Sequence, residues 1–195
     1  MQDLLSDLFF TNDVILFGLP GVGKTTLVEH LLREVPLRYV SLGSITRSRV
    51  EHGDEFLAEM VRKGGEWPLE FVLSLVEPYL NTPHPFVLDG FPKHPPEAEW
   101  LGRYLRERSR PTKVILLKAS EKQVRQSAIG RAGRSETAIN IEYRIKIFRS
   151  NTQPMISILK QDAEAEVIEI DGLTRSPSEL VWDLNRKLAS HGQNK

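Results

Sequence analysis

The chain has 195 residues, and its 26 basic and 26 acidic side chains give a formal net charge of zero. That length suffices for one domain with a substantial core, and the balanced charge provides no general attraction to nucleic acid or an anionic membrane. The absence of cysteine excludes disulfides and thiolate metal sites. We therefore expect a single domain over residues 1–195 that is monomeric and cytoplasmic, with no nucleic-acid or membrane partner.

Short apolar strands alternate with amphipathic helices along the chain. The predicted strands are residues 14–17, 38–41, 85–89, 113–117 and 166–170. The predicted helices are residues 1–10, 26–32, 44–63 with an interruption near Gly53, 68–80, 95–107, one capped by Ser120, a long one kinked at Pro154, and one capped by Ser176. This alternation is typical of an α/β fold with a five-stranded parallel sheet and helices on both faces.

Residues 18–25, with the sequence GLPGVGKT, fit the phosphate-loop pattern G-x-x-x-x-G-K-[ST]. An apolar strand precedes them and an amphipathic helix follows, which is the context that makes the pattern specific. Glycines let the backbone N–H groups point inward at phosphate oxygens, and the helix N-terminus adds a positive dipole end. Lys24 can reach the β and γ phosphates, and the Thr25 hydroxyl can ligate Mg²⁺. The sequence thus predicts a nucleoside triphosphate site in a three-layer phosphate-loop NTPase fold.

A carboxylate ends the strand predicted at residues 85–89. Asp89 beside the phosphate loop can hold Mg²⁺, directly or through its waters. The alternative is an acid in a solvated turn. Gly90 to Lys93 then form a tight turn that presents Lys93.

Further segments occur in the order found in one kinase family. They are residues 41–47 (SLGSITR), 65–70 (GEWPLE), 89–101 (DGFPK followed by EAEWL), 131–144 with arginines at 131, 134 and 144, 152–154 (TQP) and 171–172 (DG). These segments and the phosphate loop resemble the motifs of adenylate kinases, in order from about Val14 to Leu188. The resemblance implies transfer of the γ-phosphate of Mg·ATP to a nucleoside monophosphate.

The resemblance also implies which residues contact the two nucleotides. The expected ATP contacts are Gly18, Pro20, Gly21, Val22, Gly23, Lys24, Thr25, Thr26 and Gly172. The expected acceptor contacts are Ser41, Arg47, Gly90, Lys93, Glu97, Arg134 and Arg144. The expected catalytic residues are Lys24, Asp89, Arg131, Arg134 and Arg144, with Thr25 and Asp89 on Mg²⁺. An acceptor insert is expected at about residues 44–73 and a short lid at about residues 130–139.

Arginines suit this chemistry independently of the family. Phosphoryl transfer spreads negative charge over the moving group, and catalysis consists mainly of positioning and charge stabilisation. If Arg131, Arg134 and Arg144 close over the phosphates, they add positive charge and exclude water. The alternative is that they are ordinary solvated charges.

The acceptor residues depart from the family pattern. Lys93 replaces an arginine, which exchanges a bidentate fork for a point charge. Glu97 replaces a glutamine that reads adenine; an ionised carboxylate only accepts hydrogen bonds and would suit the adjacent donors of guanine better. The alternative is that Glu97 points to solvent or lies one turn away from the base. We expect AMP as the acceptor by resemblance, with GMP or a pyrimidine monophosphate as the alternative. A degenerate nucleotide-binding regulator or slow ATPase is a further possibility.

Overall fold

The computed structural model describes residues 2–129, 138–172 and 176–192. Its strands are β1 (Asp13–Gly18), β2 (Tyr39–Ser41), β3 (Val87–Asp89), β4 (Thr112–Lys118) and β5 (Glu166–Asp171). Its helices are α1 (Gln2–Thr11), α2 (Lys24–Glu34), α3 (Leu42–Glu51), α4 (Glu55–Lys63), α5 (Leu69–Leu80), α6 (Pro95–Arg108), α7 (Glu121–Ile129), α8 (Ala138–Ala163) and α9 (Pro177–Gly192). Within these ranges, no helix is long and apolar enough to cross a membrane.

The five strands form one parallel sheet in the order β2-β3-β1-β4-β5. Alternate residues of each strand bury their side chains on opposite faces. Ile15 and Val114 pack on the face covered by α5, α6 and α8, whereas Leu16 and Ile115 pack on the face covered by α1, α2 and α9. The predicted α/β phosphate-loop fold, with helices on both faces of a parallel sheet, is confirmed.

The strand order reverses at β1, which has β3 on one side and β4 on the other. In open parallel sheets, ligands bind outside the carboxyl ends of the strands at such a point. Leu16 of β1 lies level with Asp89 of β3, and Asp89 lies level with Ser41 of β2. The topology therefore brings the ends of three strands to one edge, beside the loop that follows β1.

The ends of several elements differ from the predicted ones for local reasons. α3 begins at Leu42 instead of Ser44, because the Ser41 hydroxyl accepts a hydrogen bond from Ser44 N at 3.3 Å and caps the helix there. The predicted interruption near Gly53 is confirmed: Gly53 has φ +91°, and the carboxylate of Asp54 accepts from Leu57 N at 2.9 Å to begin α4. The long helix α8 continues through Pro154.

Candidate active site

The phosphate loop connects β1 to α2. Gly21 and Gly23 have φ of +80° and +108°, in the left-handed region that residues with a side chain rarely adopt. Gly23 is the N-cap of α2 and makes no side-chain cap, so the first turn of the helix is open to a ligand. The side chain of Val22 is completely buried in the core. This anchors the middle of the loop while its flanking glycines curl the backbone.

Lys24 lies across the loop that it follows. Its ammonium donates to the carbonyl oxygen of Gly18 at 2.8 Å and to that of Leu19 at 3.3 Å. Thr25 and Thr26 are exposed in the first turn of α2. The cation and the hydroxyl predicted to meet phosphate and Mg²⁺ therefore share one short surface at the end of β1.

Gly172 packs directly against the phosphate loop. A Cβ at this position would lie 2.6 Å from Val22 Cγ2 and 2.7 Å from the Val22 carbonyl oxygen, so any side chain here would displace the loop. The Gly172 N–H donates to the Lys118 carbonyl oxygen at 2.7 Å, which holds the end of β5 against the end of β4. A cavity of about 300 Å³ lies beside this contact, lined by Lys118, Ala119, Ser120, Gln123, Asp171 and Gly172.

Asp89 is a buried carboxylate at the end of β3, with 7% of its surface exposed. Its Oδ2 accepts a hydrogen bond from the Tyr39 hydroxyl at 2.8 Å. Its Oδ1 is buried and has no hydrogen-bond partner among the residues that the structure describes, a costly arrangement for a charged oxygen. The alternative, that Asp89 lies in a solvated turn, is wrong, because the residue is buried. An orphaned carboxylate oxygen next to a phosphate loop has the donor chemistry that Mg²⁺ or its bound water requires.

Tyr39 was not singled out by any sequence motif. Burial, and then the neighbouring negative charge of Asp89, raise the pKa of the Tyr39 hydroxyl far above its usual range. The phenol thus remains protonated at any working pH and keeps donating to the carboxylate. Its position on β2, one strand away from Asp89, could have been found only with the strand pairing in hand.

The predicted acceptor residues come from α3 and from the turn after β3. Arg47 lies on α3, exposed, and donates to the Ser44 hydroxyl at 3.0 Å. Gly90 has φ +77°, and a Cβ there would meet the amide nitrogen of Gly43 at 3.7 Å. The turn after Asp89 therefore runs close to the start of α3. Ser41 uses its hydroxyl as the cap of α3, as described above.

Several nearby charges, together with burial, change the pKa of the Lys93 ammonium. Burial by surrounding protein lowers its pKa most, followed by the positive charge of Arg144, whereas Glu97 and Asp89 act in the opposite direction. A weaker lowering comes from Lys24. The Lys93 residue as a whole still retains substantial contact with solvent, so a small ligand can reach it. Arg144, Glu97, Asp89 and Lys24 therefore all lie within electrostatic range of the Lys93 ammonium.

Glu97 lies in α6 and is only 4% exposed, so the solvent-facing alternative for this residue is wrong. Its Oε2 accepts a hydrogen bond from the backbone N–H of Lys93 at 2.6 Å. At least one of its carboxylate oxygens thus has a partner within the protein. Arg144 is an exposed residue of α8. Arg131 and Arg134, and the lid expected at residues 130–139 up to position 137, lie outside the described residues.

Comparisons with known proteins establish the family of this chain. The family model described as adenylate kinase matches residues 16–164. An adenylate kinase of Oenococcus oeni is 29% identical over 191 residues, which are 93% of this chain and 99% of that protein. An adenylate kinase of Prochlorococcus marinus is 31% identical over 161 residues, 80% of this chain and 88% of that protein. The chain belongs to the adenylate kinase family, a class of ATP-dependent nucleoside monophosphate kinases.

Proposed function

We propose that this protein catalyses the reversible transfer of the γ-phosphoryl group of Mg·ATP to AMP, giving two molecules of ADP. The observation that carries the proposal is the pairing of β3 with β1, which places Asp89 level with Leu16 and so beside the phosphate loop that holds Lys24. Lys24, Asp89 and Arg144 also lie within electrostatic range of Lys93. The names of the relatives support AMP as the acceptor. Nothing in the comparisons favours GMP, a pyrimidine monophosphate, or a regulator without transferase activity.

The donor phosphates would bind at the phosphate loop. Backbone N–H groups of residues 18–25 would surround the β-phosphate, and Lys24 would exchange its carbonyl partners Gly18 and Leu19 for phosphate oxygens. Gly172 allows the loop to keep this position, since it packs on Val22 without a side chain. The ATP base is assigned to the neighbouring cavity beside Lys118 and Gln123.

Thr25 and Asp89 are the residues that would hold Mg²⁺ in the Mg·ATP complex. The ion, when bound, neutralises charge on the β- and γ-phosphates. Asp89 supports this role because Oδ1 has no partner within residues 2–129, 138–172 and 176–192, while the Tyr39 hydroxyl donates to Oδ2. Thr25 supports it because its side chain is exposed in the first turn of α2.

Arg47 and Lys93 would bind the acceptor phosphate, and Arg144 would stabilise the moving phosphoryl group together with Lys24. In transfer, the bond from the γ-phosphorus to the bridging oxygen breaks and a bond to an oxygen of the AMP phosphate forms. That oxygen is already anionic, so the reaction needs no general base. Residues 44–73 are proposed as a segment that covers the acceptor; in support of this, the Trp67 ring centroid lies 6.0 Å from Lys93 Nζ.

The test is ADP formation from ATP with AMP, GMP, CMP or UMP as acceptor, and with no acceptor. We expect the highest kcat/KM with AMP and negligible ADP without acceptor. Preference for another monophosphate would overturn the choice of AMP. ADP formation that no monophosphate accelerates would favour the slow ATPase. Lys160→Ala, which changes an exposed lysine of α8, is the matched control for loss of a positive charge.

A further inference from the structure

Both hydrogen-bonding groups of the Lys93 backbone are bonded to side chains, and the two side chains come from different helices. The Lys93 N–H donates to Glu97 Oε2 of α6 at 2.6 Å. The Lys93 carbonyl oxygen accepts from Asn151 Nδ2 of α8 at 2.9 Å. We call this pair of contacts the Lys93 clamp. Loops rarely have both groups of one residue fixed in this way, because their backbone groups are usually satisfied by water.

The Glu97 carboxylate does not cap the first turn of α6 but binds the backbone that precedes the helix. Residues 95 and 96 at the start of α6 are both proline and carry no N–H. The carboxylate reaches past them, and past the N-cap His94, to the N–H of Lys93. Burying a carboxylate is costly unless it is hydrogen-bonded, and a bond from N–H to an ionised acceptor is among the strong ones. The buried Glu97 carboxylate therefore forms its hydrogen bond with the backbone of the turn that carries Lys93.

Asn151 connects the same turn to the helix that carries Arg144. The two residues are seven positions apart, close to two turns of α8, and so project from the same side. Arg144 acts on the Lys93 ammonium through its charge, while Asn151 holds the Lys93 carbonyl. Asn151 Nδ2 also lies 3.2 Å from His94 Nδ1. One face of α8 thus donates a hydrogen bond to the Lys93 backbone through Asn151 and carries Arg144, whose charge lowers the pKa of the Lys93 side chain.

We propose that Glu97 and Asn151 are positioning residues that fix Lys93 in the acceptor site, and that Glu97 does not read the acceptor base. This inference rests on the proposed function for the identity of the ligand that Lys93 meets. A lysine is a point charge on a flexible stem and loses its orientation more readily than an arginine fork. Hydrogen bonds from two helices to the Lys93 backbone compensate for this flexibility, because they limit the volume that the ammonium can explore.

Substitution of Glu97 separates positioning from base recognition. Glu97→Leu removes the acceptor of the Lys93 N–H; we expect KM for AMP and for GMP to rise together by about tenfold, with KM for ATP within about twofold. Glu97→Gln keeps an oxygen that can accept from the N–H and should restore most of this loss. Glu99→Gln, on the exposed side of α6, is the matched control. A changed AMP-to-GMP ratio in Glu97→Gln would show that Glu97 reads the base and overturn the proposal.

Asn151 provides an independent test. Asn151→Leu preserves size but removes the donor, and Asn151→Asp places a second acceptor opposite the Lys93 carbonyl. We expect both to raise KM for AMP by about three- to tenfold with little change in KM for ATP, with Asp the worse of the two. Ser150→Ala, its exposed neighbour on α8, should behave as wild type. Equal increases in both KM values would indicate general loss of structure and contradict the proposal.

A readout without turnover keeps this inference separate from the proposed function. The Lys93 amide hydrogen should exchange slowly with solvent in the wild type and in Glu97→Gln, and at least about tenfold faster in Glu97→Leu, as measured by NMR. If the wild-type protein does not phosphorylate AMP, the proposed function fails while this exchange result still reports on the clamp. If AMP is phosphorylated but the Lys93 amide of Glu97→Leu remains protected from exchange, Glu97 does not hold Lys93 and the proposed clamp is wrong.

Discussion

The proposed donor and acceptor sites are built from different kinds of group. At the proposed donor site, the phosphate loop and Gly172 retain the family pattern, and the loop would offer backbone N–H groups to phosphate. On the acceptor side, the charged groups are side chains from α3, the turn after β3 and α8, and Lys93 and Glu97 both depart from the family pattern. Backbone recognition requires glycines at fixed positions, whereas side-chain recognition allows one residue to change when its neighbours compensate.

The largest effect is expected on the donor side. Lys24→Ala removes the only side-chain cation of the phosphate loop and should reduce kcat by about a hundredfold to a thousandfold, because its charge is needed as the γ-phosphoryl group moves. The thermal midpoint should change little, since the ammonium donates to the carbonyl oxygens of Gly18 and Leu19 within the loop itself. The measurement is steady-state ADP formation, with Lys160→Ala as the control. Near-normal turnover would rule out the phosphate-loop mechanism.

The second-largest effect is expected for Asp89, between the proposed donor and acceptor sites. Asp89→Asn retains the shape of the side chain but removes the negative charge of the carboxylate, whose Oδ1 has no partner in the described part of the chain. We expect activity to fall by about tenfold to a hundredfold and the Mg²⁺ concentration needed for half-maximal rate to rise. Titration of activity and of nucleotide binding with Mg²⁺ measures both. An unchanged Mg²⁺ requirement would remove Asp89 from the metal site.

Much of this arrangement could be predicted from the sequence, and the remainder depended on tertiary contacts. The phosphate loop was identifiable because its glycines, Lys24 and flanking apolar runs are local in sequence. Asp89 was identifiable as an acid at a strand end. The bond from Tyr39 to Asp89 was not, because it joins residues 50 positions apart through the pairing of β2 with β3. Asn151 was missed for the same reason, since its partner Lys93 lies 58 positions away.

Glu97 shows why a motif position alone does not give a role. Its place in the segment after Asp89 suggested contact with the acceptor base or with solvent. The structure instead gives it a backbone partner four residues earlier and buries it. A pattern specifies which residue type occupies a position, but the direction of a side chain depends on the path of the preceding turn.

Acceptor variants should show smaller effects than donor variants. Replacing Lys93 or Arg47 with Ala should each raise KM for AMP by about tenfold, with less effect on KM for ATP, because each removes one charged contact to the acceptor phosphate. Lys93→Arg should preserve transfer, since a guanidinium can grip two phosphate oxygens. Initial rates with both substrates varied give the two KM values. Unchanged acceptor kinetics in both alanine variants would place neither residue in the site.

The pH dependence should distinguish the lysine from an arginine at the same position. Burial and the charge of Arg144 lower the pKa of Lys93, so its ammonium loses a proton at a lower pH than an ordinary lysine does. The kcat/KM for AMP should therefore decline on the alkaline side before the usual lysine range is reached. In Lys93→Arg the decline should move to higher pH, because a guanidinium stays protonated throughout. If kcat/KM for AMP declines at the same alkaline pH in the wild type and in Lys93→Arg, the decline comes from a group other than Lys93.

The smallest effect is expected from Tyr39→Phe, which removes the hydrogen bond that holds one oxygen of Asp89 while leaving the aromatic ring. The carboxylate keeps its charge but loses the donor that fixes its orientation, so KM for Mg·ATP should rise by about threefold, with KM for AMP unchanged. Tyr104→Phe is the matched control, because the Tyr104 hydroxyl also donates one hydrogen bond, to the Leu80 carbonyl oxygen at 2.7 Å, which connects α6 to α5 and does not involve Asp89. Both variants lose one phenolic hydrogen bond and should lose similar stability. If Tyr104→Phe raised KM for Mg·ATP as much as Tyr39→Phe does, the effect would come from stability, and Tyr39 would have no part in orienting Asp89.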